Sequence, residues 1–158
     1  MTRKPLKNFE NLVRSAGALG YTPTEDADLH PFDERNIHPA IVTVSKRLFD
    51  DGHYAQATFE AYKYIDKEVQ KLSKLSETGF KLMMQAFSDS SPSIKLTNLS
   101  TASEIDEQKG YQFIFAGSVM AIRNPRGHEY AIAETPDECL DHLSLASLLK
   151  RRLDRRIA

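Results

Sequence analysis

HYAQATFEAYKYIDKEVQKLSK, residues 53–74, decides the fold class. Phe59, Tyr62, Ile65, Val69 and Leu72 recur at near-heptad spacing, which places them on one stripe of a long helix. Lys63, Lys67, Gln70, Lys71 and Lys74 fall off that stripe. A helix with one apolar stripe needs other helices to bury it. Upstream, Pro39 opens such a helix at the first-turn position, where its missing N–H costs nothing. Ile41, Val44, Leu48 and Phe49 form its face and Gly52 ends it. Downstream, Phe80, Met83, Met84 and Phe87 predict a short apolar helix. A polar break at residues 88–93 and a brief extended piece, Ile94-Lys95-Leu96, follow.

Thr101-Ala102-Ser103-Glu104 matches a capping box, in which hydroxyl and carboxylate each serve a free N–H. The helix behind it is expected to reach about Ile122. Phe115, Val119 and Ile122 form its inner row, widened by Ile105, Phe113, Ala116 and Met120. Thr135-Pro136-Asp137-Glu138 is a second capping box, opening a last helix whose Leu140, Leu143, Leu148 and Leu149 turn inward. Its acids sit at the positive end of the helix dipole, and Lys150, Arg151, Arg152, Arg155 and Arg156 at the negative end. The expected fold is all-α, an up-and-down helical bundle of about four main helices. At the N-terminus Leu6, Phe9, Leu12, Val13 and Ala16 predict a short helical arm. The Pro- and acid-rich stretch from Tyr21 to Asn36 reads as its connection. The expected division is an arm over residues 1–35 and a bundle over residues 36–158.

A chain of 158 residues and 17.9 kDa is the size of one domain. Its 41% hydrophobic content supports a core. Twenty-one basic against 22 acidic residues give a net charge of −1, which excludes a histone-like coat but not a local basic patch. Cys139 stands alone, excluding an intrachain disulfide framework or a cysteine-based zinc cluster. No apolar run approaches the roughly 20 residues of a membrane span, and no secretory signal is visible. The expectation is a cytoplasmic protein with no membrane partner. Glycine-rich nucleotide loops, His-Glu-x-x-His and Gly-x-Ser-x-Gly are missing. His30, His38, His53, His128 and His142 show no metal-ligand spacing. No metal and no cofactor are expected.

One segment carries chemistry: Arg123-Asn124-Pro125-Arg126-Gly127-His128-Glu129. The residue before proline avoids the α region, so Asn124-Pro125 is expected to end the helix in a sharp turn. Guanidinium groups clamp phosphate with a planar fork, and imidazole moves protons near neutral pH. Together they are the minimum for cleaving RNA without a metal. The ribose 2′-OH attacks its neighbouring phosphate, His128 transfers a proton, and Arg123 meets the phosphoryl charge. Arg123 as a helix cap and His128 as an exposed loop residue is the plainer alternative. The cluster at 150–156 is either a solvated helix end or a hold on RNA phosphates. Glu60 and Lys63 either pair with each other or orient Arg123. Tyr62 belongs to the core stripe; Tyr64 lies off it, where a base could stack.

Arg-Asn, three residues, then His, after the third long helix of a bundle, resembles the signature of the HEPN superfamily. Asp51-Gly52-His53-Tyr54, Glu60-Ala61-Tyr62-Lys63, Leu82-Met83, Ala86-Phe87-Ser88 and the segment 123–129 together resemble the Ymh-type group of bacterial and phage proteins. That likeness spans roughly residues 36–150. The resemblance implies a homodimer whose two motifs face each other across a cleft. It implies a metal-independent endoribonuclease of toxin–antitoxin or phage-defence systems, with an antitoxin or defence-complex protein as a possible partner. The alternative is a HEPN module without catalysis that binds RNA or a protein. By position, Arg123, Asn124 and His128 are the catalytic candidates. Arg126, Lys150, Arg151, Arg152 and Arg155 are the candidates for holding RNA.

Overall fold

The computed structural model describes residues 29–129 and 132–157. The expected N-terminal helix lies outside the described residues. Every regular element among them is helical. The order is α1 (Pro31–Glu34), α2 (Pro39–Asp50), α3 (Tyr54–Ser73), α4 (Gly79–Ala86), α5 (Ala102–Ser118), a wide π-helical turn (Val119–Arg123), α6 (Asn124–His128) and α7 (Pro136–Asp154). No described helix is long and apolar enough to cross a membrane.

The helix read from residues 53–74 is α3, and it is the hub: α2, α4, the wide turn, α6 and α7 all pack against it. Ala57, Ala61, Tyr62, Ile65 and Val69 of its inner stripe are buried. Small alanines let neighbouring helices approach, while Tyr62 fills the space between α3 and α7 and donates its hydroxyl to the His142 carbonyl at 2.9 Å. Lys74, in the left-handed region at φ 58°, closes α3, its N–H bonding the Gln70 carbonyl. Gly79, at φ 65°, then starts α4, and its N–H is held by buried Asp66 Oδ1 at 2.7 Å.

Both capping boxes form, at Thr101/Glu104 and Thr135/Glu138. The compact body begins at Pro31, inside the expected arm. The reason is apolar: Phe32 and Ile37 are buried, and the Phe32 ring tilts onto Phe49 at 5.2 Å. The non-helical crossing between α4 and α5 is tied down by buried Gln108. This side chain accepts from Leu96 N–H at 2.8 Å and donates to the carbonyls of Phe87 and Ile94 at 3.1 and 3.0 Å. Two apolar expectations change. Ile105, Phe113 and Met120 of the α5 run, and Leu148 of α7, are exposed rather than inward.

Candidate functional site

Asn124-Pro125 does not end a helix. Arg123 and Asn124 both keep right-handed helical backbone, at φ/ψ −70°/−47° and −64°/−45°. The wide turn makes this possible. In an α-helix the Pro125 ring would strike the carbonyl four residues back and leave it without a donor. Here the chain is wound more loosely, and the Asn124 N–H bonds Val119 O, five residues back. Arg123 therefore ends the wide turn and His128 ends the short helix α6 on one continuous helical path, in place of the expected sharp turn.

Arg123 is half-buried. Its Nη1 donates to Asn124 Oδ1 at 3.1 Å, and its guanidinium lies 5.5 Å from the centre of the Phe59 ring. No described carboxylate pairs with it, and its buried Nε has no hydrogen-bond partner. The Lys63 ammonium approaches the same ring at 5.7 Å and pairs with Glu60 at 3.1 Å, so of the two expectations for Glu60 the ion pair forms. Gly127 packs onto Phe59: a Cβ there would stand 2.9 Å from the ring. His128 is exposed and bonds no described residue. Arg123 and Asn124 are thus joined directly, while His128 stands apart at the far end of α6.

Arg126 is instead taken up by the interior. Its side chain is 10% exposed and its Nε donates to Glu134 Oε2 at 2.7 Å. Nη1 reaches the Ile122 carbonyl, within the wide turn, at 2.9 Å. Glu134, 1% exposed, also accepts from Thr58 Oγ1 at 2.9 Å. Its Oε1 lies 2.6 Å from His142 Nδ1. An ionised carboxylate only accepts, so that hydrogen sits on Nδ1, and the 3.3 Å approach of Arg126 Nη2 to the same nitrogen is a contact rather than a bond. Thr58, Glu134 and His142 escape sequence reasoning because they come from three separate parts of the chain. The only signal was Glu134 standing just before the Thr135 cap.

The same cluster sets the state of its neighbours. Burial raises the Tyr62 phenol well above its usual range, with Glu134 adding and Arg126 opposing. Burial likewise pushes the Cys139 thiol up to about 11, against a hydrogen bond from Thr58. Cys139 is a neutral packing group. Beside the cluster, a cleft of about 440 Å³ opens between residues 52–56, Arg126, Glu129 and residues 132–134. Neither Arg123 nor His128 lines it.

Most of the basic cluster on α7 has internal partners. Lys150 is buried and bonded to Asp154. Asp154 is partly desolvated, which raises its carboxyl, but Lys150 and His38 outweigh that and hold it below the usual range. Arg151 donates to Asn36 O at 2.6 Å. Arg152 donates to Leu96 O at 2.7 Å and Glu107 Oε1 at 2.8 Å, and stacks on Tyr111. Arg156 reaches the Leu153 carbonyl at 3.3 Å. Only the Arg155 side chain in this cluster meets no described partner. Tyr64 is half-buried against the core. Among the described residues no group of three or more His, Cys, Asp or Glu gathers in metal-holding range.

The described body is all-helical and carries an Arg-Asn-Pro-x-x-His path on a widened helix. Residues 35–153 match a family described as a protein of unknown function, Hypoth_ymh, and the chain belongs to that family. No curated protein and no solved structure matches it.

Proposed function

We propose that this protein is a metal-independent endoribonuclease of HEPN type, working in a toxin–antitoxin or phage-defence setting in the cytoplasm. The observation that carries the reading is the state of Arg123. The more deeply buried Arg126 is paired with a carboxylate; Arg123 has none among the described residues, which leaves its charge for an incoming anion. Asn124 and Phe59 fix its orientation. His128, on the same helical path, is open to solvent and free to exchange a proton.

The reaction transfers one phosphoryl bond. The ribose 2′-oxygen bonds to phosphorus as its proton leaves for an imidazole, and the bond from phosphorus to the 5′-oxygen breaks as that oxygen gains a proton. Arg123 meets the charge on the non-bridging oxygens. One histidine per chain makes a sparse site, and a two-fold dimer supplies a second. The exposed face of α5 supports pairing of two copies. Phe113 and Met120 are 54% and 53% exposed along this run, and Gly117 between them and Gly110 one turn before Phe113 have open space above. The four long helices are read as an up-and-down bundle. Of the basic residues considered for RNA, Arg155 has the most freedom to touch phosphate.

The test is RNA incubated with purified protein in EDTA. The expected products carry a 2′,3′-cyclic phosphate and a 5′-hydroxyl, and a 2′-deoxy substitution at the scissile position blocks the reaction. His128→Ala and Arg123→Ala are each expected to lower cleavage by at least about 100-fold, the lower range for losing a general acid–base group. RNA that is bound but left intact by wild-type protein supports the alternative, a HEPN module that binds without cutting. Cleavage that survives His128→Ala assigns the wrong histidine.

A further inference from the structure

The outer face of α3 carries Lys63, Lys67 and Lys71, and Lys74 follows at its left-handed C-cap, all exposed. Steps of four residues keep the first three on one side of the helix, rising roughly 6 Å for each step. Lys67 donates only to the neutral Gln70 amide, at 3.2 Å. Neither Lys71 nor Lys74 pairs with a described carboxylate. Lys63 alone is ion-paired, with Glu60. The other acids near this face are otherwise placed. Asp66 is buried and holds Gly79 N–H; Glu68 pairs with no described lysine; and Glu77, in the loop that folds back after α3, gives its carbonyl to Gln70 Nε2 at 3.0 Å while its carboxylate pairs with no described lysine. In a chain of net charge −1, the row is a local excess of positive charge. It also begins at the candidate site, since Lys63 and Arg123 share the Phe59 ring.

We infer that this face is a track for the backbone of one RNA strand, leading away from Arg123. The match is one of charge and repeat: single ammonium groups at regular intervals meet single phosphates at regular intervals. The row is one charge wide, which suits one strand rather than a duplex. A single strand also leaves each ribose free to turn its 2′-oxygen toward the neighbouring phosphate, as the proposed cleavage requires. The direction of the track, from the cutting residue outward, rests on that proposal; the binding itself does not.

The experiment uses the full chain with His128→Ala, so that RNA stays intact. A fluorescent single-stranded RNA is titrated at several salt concentrations, with and without Lys67→Gln, Lys71→Gln and Lys74→Gln together. These side chains are exposed, and a thermal melt checks that the fold is kept. Loss of three phosphate contacts is expected to flatten the slope of log affinity against log salt by about 2, at about 0.7 per contact for a single strand. A charge-matched control, Lys46, Lys81 and Lys95 changed to Gln, is expected to keep the slope. An unchanged slope in the α3 variant, or an equal change in the control, overturns the track. Equal lysine-dependent binding of polyglutamate overturns it in favour of an acidic protein partner. Cleavage by wild-type protein alongside an unchanged slope removes the track and leaves the nuclease. Lysine-dependent RNA binding without cleavage supports the track and removes the nuclease.

Discussion

Arg123 and Arg126 lie within one helical turn of each other and differ in what surrounds them. Arg126 meets Glu134, and Glu134 meets His142 and Thr58, so that two carboxylate oxygens join α6, α3 and α7. Removing the carboxylate strands a guanidinium that is nine-tenths buried. Glu134→Ala is therefore expected to destabilise the protein by about 3–5 kcal/mol, the usual cost of breaking a buried pair by one partner. Urea unfolding measures it; a loss under 1 kcal/mol would make the cluster a surface network. The motif positions are legible in the sequence because their relation is local, six consecutive residues with chemical character. The Glu134 cluster is not, because no local rule links residues 58, 126, 134 and 142. The partners of Arg151 and Arg152 are hidden for the same reason: the carbonyls of Asn36 and Leu96 that engage them lie far away in the chain.

At the scale of elements, caps and long stripes are read well and half-hidden helices poorly. Thr101 and Thr135 announce their helices because a cap is complete within four residues. The bounds of α3 follow from one clean stripe. α5 is apolar on more than one side and buries the polar Gln108 and Gln112, so periodicity does not tell which face is inner. The wide turn was hidden by the proline rule, which describes the preference of one residue and not the loosening of a whole turn. Its geometry also explains Gly127. An alanine there gains up to about 1 kcal/mol in helix propensity but pushes on the Phe59 ring that carries Arg123. Overpacking costs about 1–3 kcal/mol, so the melting temperature is expected to fall only slightly. Cleavage is expected to fall by about tenfold or more, which corresponds to a guanidinium displaced by about 1.4 kcal/mol in the transition state. Equal cleavage by Gly127→Ala and wild type would show that the ring does not position Arg123.

For the whole molecule, the cleft and the motif do not coincide. The cleft is lined by Arg126 and Glu129 but not by Arg123 or His128, so the motif lies outside it. A second copy on the α5 face is the proposed remedy. Phe113→Asp with Met120→Asp places charge on two exposed positions, and is expected to leave the melting temperature within a few degrees. In sedimentation velocity wild type is expected to run as a dimer and the variant as a monomer, and cleavage is expected to be lost with the dimer. A monomeric wild type that still cuts RNA would locate the site within one chain.

The bonds that occupy the basic residues of α7 have a topological meaning. Arg35 pairs with Asp141, His38 N–H reaches Ser147 Oγ at 2.8 Å, His38 Nε2 meets Asp154 at 3.0 Å, and Arg151 holds Asn36. The first and the last parts of the compact body are thereby buckled side by side, so the chain comes in and goes out at one place. A body closed in this way is nearly circular in its connectivity: it can hang from another chain by a single stalk.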